Sequence, residues 1–137
     1  MMKQVACDVL IIEDELFIAD DLEQIMESLG HRVIGIERTR AAALRVILSK
    51  KPQLVLADIQ LADGSSGIDA VNEILMTCPV PVIFITAYPE RLLTGVRPEP
   101  AFVITKPFRA EMVAAVVSQA LLFGTCANRC FRTSITT

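Results

Sequence analysis

The chain lacks the excess of lysine and arginine that binding to a phosphate backbone demands: 13 basic residues stand against 16 acidic ones, for a net charge of −3. No direct nucleic-acid binding is expected. It also lacks any apolar run approaching the roughly 18 residues that cross a bilayer. Met1-Met2-Lys3-Gln4 passes into strand-like sequence without a signal-peptide pattern, so a cytoplasmic protein with no membrane contact is expected. Histidine is almost missing: His31 is the single one, and it is expected to be an exposed residue of a helix-to-strand turn rather than a metal ligand. Of the four cysteines, Cys7 and Cys78 read as small apolar residues of the core. Cys126 and Cys130 have a clip-like spacing, but neither a second pair nor a nearby histidine completes a metal site.

What is present is a well-filled core. Hydrophobic residues make up 53% and charged residues 21% of 137 residues, the balance of one folded domain. Strand-like and helix-like segments alternate five times, as in βα units that build a parallel sheet. The first strand covers about Val5 to Ile12. Glu15 to Leu29 repeats apolar residues at helical spacing (Phe17, Leu22, Ile25, Met26, Leu29), with Gly30 as the C-terminal cap. Val33 to Ile36 reads as strand two, and Thr39 caps a helix that runs to about Ser49. Leu54 to Ala57 is strand three, and after a turn-rich loop Ile68 to Met76 is the third helix. Val82 to Ile85 is strand four. Pro89, Pro98 and Pro100 confine the fourth helix to about Glu90 to Thr94, so it is shortened. Phe102 to Thr105 is strand five, and Phe108 to Phe123 is the last helix, with apolar Met112, Val113, Val116, Val117 and Leu121. Residues 125–137 lack periodicity and are expected to be a mobile tail behind a domain spanning 1–124.

Polar residues stand at the ends of four of these strands: Glu13-Asp14, Asp58, Thr86 and Lys106. In an open parallel sheet the carboxyl ends of the strands form the ligand crevice. Three carboxylates, one hydroxyl and one ammonium gathered there suit a hard cation and a phosphoryl group. Glu13 and Asp14, with Asp58 and a backbone carbonyl near Gln60, supply the oxygen ligands that Mg²⁺ takes. The Lys106 ammonium then pairs with phosphoryl oxygens, and Thr86 donates to one of them. Each residue alone also has a plain structural reading: Asp14 or Glu15 as a helix N-terminal charge, Thr86 as a loop cap, Lys106 as a surface charge. Their order at four successive strand ends favours one shared site.

Ile11-Ile12-Glu13-Asp14-Glu15, Leu56-Ala57-Asp58-Ile59-Gln60-Leu61, Ile85-Thr86-Ala87 and Ile104-Thr105-Lys106-Pro107-Phe108 resemble the receiver domains of two-component response regulators, over about Val5 to Phe123. The resemblance implies a doubly wound, flavodoxin-like α/β fold with five parallel strands in the order 2-1-3-4-5. It implies Asp58 as phospho-acceptor, Glu13 and Asp14 as the Mg²⁺ pair, Thr86 as switch hydroxyl and Lys106 as phosphate-binding lysine. The implied donor is a histidine kinase or a histidine phosphotransfer protein. Docking is expected at the first helix, through Leu16 or Ile18, and at the Pro107-Phe108 loop, with a downstream protein partner and a phosphorylation-dependent dimer as further expectations.

Asp58 to Asp69 and Phe84 to Gly95 are similar to the receiver half of PhyR-type general stress response regulators of alphaproteobacteria. In that family a sigma-factor-like domain precedes the receiver, and phosphorylation frees it to sequester an anti-sigma factor. With no such domain in this sequence, a stand-alone relative or an excised receiver is expected. The sequence departs from the common receiver pattern in one place: the usual aromatic three positions before the lysine is Val103, with Phe102 just before it. Tyr88, two residues after Thr86, is expected to answer to the hydroxyl instead. Gln60 and Tyr88 are expected to flank the phosphate and limit access of water.

Three other functions are weaker. Metal-dependent aspartyl phosphatases carry a second Asp two positions after the nucleophile, and here that position is Gln60, which does not shuttle protons at neutral pH. A flavin or nucleotide site needs a Gly, Ser or Thr-rich phosphate loop after strand one, where Glu13-Asp14-Glu15 stands. A receiver-like interaction domain working without phosphorylation has no need of five retained site groups. Apart from its own phosphorylation and dephosphorylation, no enzymatic turnover is expected.

Overall fold

The computed structural model describes residues 6–59, 72–73, 80–87 and 101–122. Within them β1 (Asp8–Ile12), α1 (Leu16–Ser28), β2 (Arg32–Glu37), α2 (Arg40–Lys50), β3 (Leu54–Ala57), β4 (Val82–Thr86) and β5 (Ala101–Thr105) follow in order, and a helix over residues 110–122, here α3, closes the series. The five strands are all parallel and lie in the order β2-β1-β3-β4-β5, as the receiver resemblance implies. The expected third helix is seen only at residues 72–73. The loop at 60–71, the fourth crossover at 88–100, where a shortened helix is expected, and the tail lie outside the described residues.

Apolar side chains on both faces make the central strands β1, β3 and β4 buried rather than half-buried, and alternation along them splits the core in two. Val9, Ile11, Leu54, Leu56, Ile83, Ile85 and Ile104 pack with Ala19, Leu22 and Met26 of α1 and Val113 and Val117 of α3. Leu10, Ile12, Val55, Ala57, Val82 and Phe84 pack on the opposite face with Ala43 and Ile47 of α2. The two layers hold the sheet flat on neither side to solvent and leave its carboxyl edge as the place where polar groups collect.

Helix ends follow the sequence cues. Thr39 Oγ1 accepts a hydrogen bond from the Ala42 amide at 3.2 Å and so starts α2. After α1, Gly30 takes φ of +92°, a conformation that costs glycine little and that lets the chain turn back into β2.

Three expectations need correction. Phe17 does not join the buried stripe of α1: it is 89% exposed, while Ala19, Leu22 and Met26 are buried. Met112 is likewise half exposed at the start of α3, where Val113 and Val117 face the core. His31 is not a solvent-exposed turn residue but is 4% exposed. The segment ahead of β1 runs beside the start of β2, with the Arg32 amide donating to the Cys7 carbonyl at 2.9 Å. That brings the Cys7 amide to His31 Nδ1, to which it donates at 3.1 Å. Burial pushes the imidazole pKa below its ordinary value, which keeps the ring in the neutral form that accepts this bond. Cys7 itself is half-buried against the core, close to its expected role.

Candidate functional site

The parallel ladder runs one residue past the strands and thereby fixes the backbone of the site. The Glu13 amide donates to the Glu37 carbonyl at 2.9 Å, the Asp58 amide to the Ile12 carbonyl at 2.9 Å, and the Lys106 amide to the Thr86 carbonyl at 2.8 Å. Because Ile12 pairs with Ala57 and Thr86 with Thr105, the next residues of β1 and β3 emerge side by side, as do Thr86 and Lys106. Rigid elements, not loops, thus present Glu13, Asp58, Thr86 and Lys106 at one edge.

Lys106 is the hub. Its Nζ lies 2.9 Å from Glu13 Oε1 and 3.1 Å from Asp58 Oδ2, with its side chain only 11% exposed. Glu13, Asp58 and Thr86 are all buried, so the pairing takes place where water screens weakly. The Glu15 amide at the start of α1 donates to Glu13 Oε2 at 3.1 Å and fixes the carboxylate from its other side. Burial pushes the Glu13 carboxyl up to about 7, against the lowering pull of Lys106 and of the Glu15 amide, with the Asp58 charge adding to the rise. Burial alone would lower the Lys106 ammonium, but its bonds and charge contacts with Glu13 and Asp58 outweigh that and hold it above the ordinary lysine value.

Glu13, Asp14 and Asp58 each place one carboxylate oxygen so that the three atoms lie within 4.8 Å of one another. Glu13 Oε1, although 2.9 Å from Lys106 Nζ, is buried without a hydrogen bond of good geometry. A half-buried Asp14, two buried carboxylates and a buried oxygen with coordination to spare fit a hard divalent cation, which takes oxygen ligands and offsets their mutual repulsion. The donor set therefore suits Mg²⁺. Gln60, whose backbone carbonyl is the expected fourth ligand, and Tyr88 both lie outside the described residues.

The two residues before the lysine divide differently from the common pattern. Phe102 is partly buried and packs against the core, while Val103 is 42% exposed. Of the expected docking residues, Leu16 is 63% exposed and Ile18 packs against the core. Pro107 is exposed and Phe108 half-buried. Phe108 joins Asp21, Gln24, Ile25, Ser28 and Ala110 around a cavity of about 300 Å³ between α1 and the start of α3. Sequence reasoning had given Glu15 only a helix-terminal charge and did not foresee its contact with Lys106, at 3.9 Å, or its amide bond to Glu13. Its position directly after the acidic pair was the available cue.

Residues 9–118 match the family model described as response regulator receiver domain. The chain is 64% identical over 130 residues to the phyllosphere-induced regulator PhyR of Methylorubrum extorquens, covering 94% of this chain and 49% of that protein. Its fold is similar to the crystal structure of PhyR from Brucella abortus, with a TM-score of 0.88 and 60% identity over 96% of this chain and 54% of that one. It is also similar, with a TM-score of 0.60 and 65% identity over 88% of this chain and 49% of that one, to the anti-anti-sigma factor PhyR of Bartonella quintana in complex with the anti-sigma factor NepR. The chain spans about half the length of the curated relatives it matches first.

Proposed function

Since the chain belongs to the response regulator receiver family, we propose that it accepts a phosphoryl group on Asp58 from a histidine kinase or histidine phosphotransfer protein. The observation that carries this reading is the Lys106 ammonium held 3.1 Å from Asp58 Oδ2 and 2.9 Å from Glu13 Oε1, beside a carboxylate triad. An Asp58 oxygen forms the new bond to phosphorus while the bond from phosphorus to the donor imidazole breaks. The electron pair of that bond returns to the imidazole nitrogen. Two anions meet in this step, and catalysis consists mainly of positioning and charge compensation. Glu13, Asp14 and Asp58, with the Gln60 carbonyl, would hold Mg²⁺, which would supply positive charge to offset that of the phosphoryl oxygens. Lys106 exchanges its contact with Asp58 for one with the phosphoryl group, and Thr86 donates a hydrogen bond to it.

The output is control of a protein partner, biased by differential contacts of Thr86 and the β4–β5 edge in the two states. Tyr88, Phe102 and Val103 are the residues through which that change travels, and Leu16 with Pro107-Phe108 forms the surface that meets the phosphodonor. The relative solved with NepR supports an anti-sigma factor as the regulated partner in stress signalling. Because this chain spans about half of that relative's length, the receiver's part is to control such a contact.

The assignment of Asp58 is tested by phosphorylating the protein with acetyl phosphate in Mg²⁺ and reducing it with borohydride, which converts an aspartyl phosphate to homoserine. Peptide mass spectrometry is expected to find homoserine at position 58. Homoserine at Asp14, or at no carboxylate, would overturn the assignment.

A further inference from the structure

Among the described residues, three carboxylates approach the Lys106 ammonium, and they differ in burial. Glu13 and Asp58 are buried partners at 2.9 and 3.1 Å, whereas Glu15 comes within 3.9 Å with a side chain 61% exposed. Glu15 caps α1 with its backbone, in an extended conformation, and its side chain makes no cap hydrogen bond. The carboxylate is therefore not used by the helix. It stands on the solvent side of the lysine, where an incoming donor must bring its own negative charge.

We propose that Glu15 is a positioning residue that holds Lys106 from the solvent side and slows the entry of anionic phosphodonors. The proposal rests on the reading of Asp58 as phospho-acceptor. Lys106 must turn from carboxylates to a phosphoryl oxygen during transfer. A third anion beside it competes for the ammonium and repels the donor before contact. Protein donors present the phosphoryl group together with a docking surface, so the same charge discriminates against free small-molecule donors. Its effect runs through exposed groups, so salt screens it, with a Debye length of about 10 Å at 0.1 M and about 3 Å at 1 M.

The test compares initial rates of phosphorylation by acetyl phosphate for wild type, Glu15→Gln and Glu15→Asp at saturating Mg²⁺. Rates are taken at several donor concentrations, in roughly 0.05 M and roughly 0.5 M salt. At low salt Glu15→Gln is expected to raise the rate at limiting donor about three- to tenfold, the scale of unit charges interacting across several ångströms of water. The gain is expected in the donor concentration for half-maximal rate, to shrink at high salt, and to be smaller for phosphoramidate, which carries less negative charge. Glu15→Asp, which keeps the charge, is expected to stay near wild type. A Glu15→Gln rate equal to or below wild type, a gain that salt leaves unchanged, or a Glu15→Asp variant that behaves like Glu15→Gln would each overturn the proposal. Failure of wild type to take phosphate from either donor would overturn the reading of Asp58 itself, and this proposal with it.

Discussion

At the scale of single residues, Glu13 carries the main electrostatic conflict among the described residues. Its carboxyl is buried and pushed up to about 7 although Lys106 lies 2.9 Å away. The folded state therefore holds a proton that the unfolded chain releases nearer 4.5, and its advantage is present at low pH and lost as pH rises through about 7. In the absence of Mg²⁺, stability is expected to fall by about 1–3 kcal/mol between pH 5 and pH 8 from this group, on the scale of 1.36 kcal/mol per pKa unit. Urea unfolding across that range checks it, and Glu13→Gln is expected to flatten the slope and to be more stable than wild type at pH 8. An unchanged slope in Glu13→Gln would assign the conflict elsewhere. Glu13, Asp58, Thr86 and Lys106 were legible in the sequence because each ends an apolar strand or directly follows one. The contact of Glu15 with Lys106 was not, since a run of three acids does not say which of them turns toward a lysine ninety residues on. The burial of His31 was missed for a related reason: its partner is the Cys7 amide, in the segment ahead of β1 and 24 residues away in sequence.

At the scale of elements, strands and helices were legible from periodicity, but the width of a buried face was not. Five residues before Leu22, Phe17 sits about 140° around the helix at 3.6 residues per turn, which places it opposite the buried stripe. Met112 stands in the same relation to Val117. An apolar residue in a helical run is thus no guarantee of burial when the run is wider than the face that packs. Caps were more reliable, because they depend on one local bond. Thr39→Ala removes the acceptor for the Ala42 amide and is expected to cost about 1 kcal/mol of stability. Thr39→Ser, which keeps the hydroxyl, is expected to lose much less. Equal losses in the two variants, measured by urea unfolding, would show that the methyl group and not the cap matters.

For the whole molecule, the parallel strands are joined by crossovers rather than hairpins, α1 and α2 pack on opposite faces of the sheet, and β3 lies beside β1 with β4 and β5 beyond it. That adjacency brings Glu13 next to Asp58, and the pairing of β4 with β5 sets Lys106 beside Thr86. The site is thus a product of topology, with charges supplied by residues far apart in sequence. We propose that this edge takes one phosphoryl group on Asp58 with the help of Mg²⁺ and Lys106. Intact-mass spectrometry after incubation with acetyl phosphate tests this on wild type, Asp58→Asn and Lys106→Ala, with Mg²⁺ and with EDTA. The mass of one phosphoryl group is expected on wild type in Mg²⁺ alone, none on Asp58→Asn, and a marked loss on Lys106→Ala. An adduct on Asp58→Asn equal to that on wild type, or no Mg²⁺-dependent adduct on wild type, would contradict it.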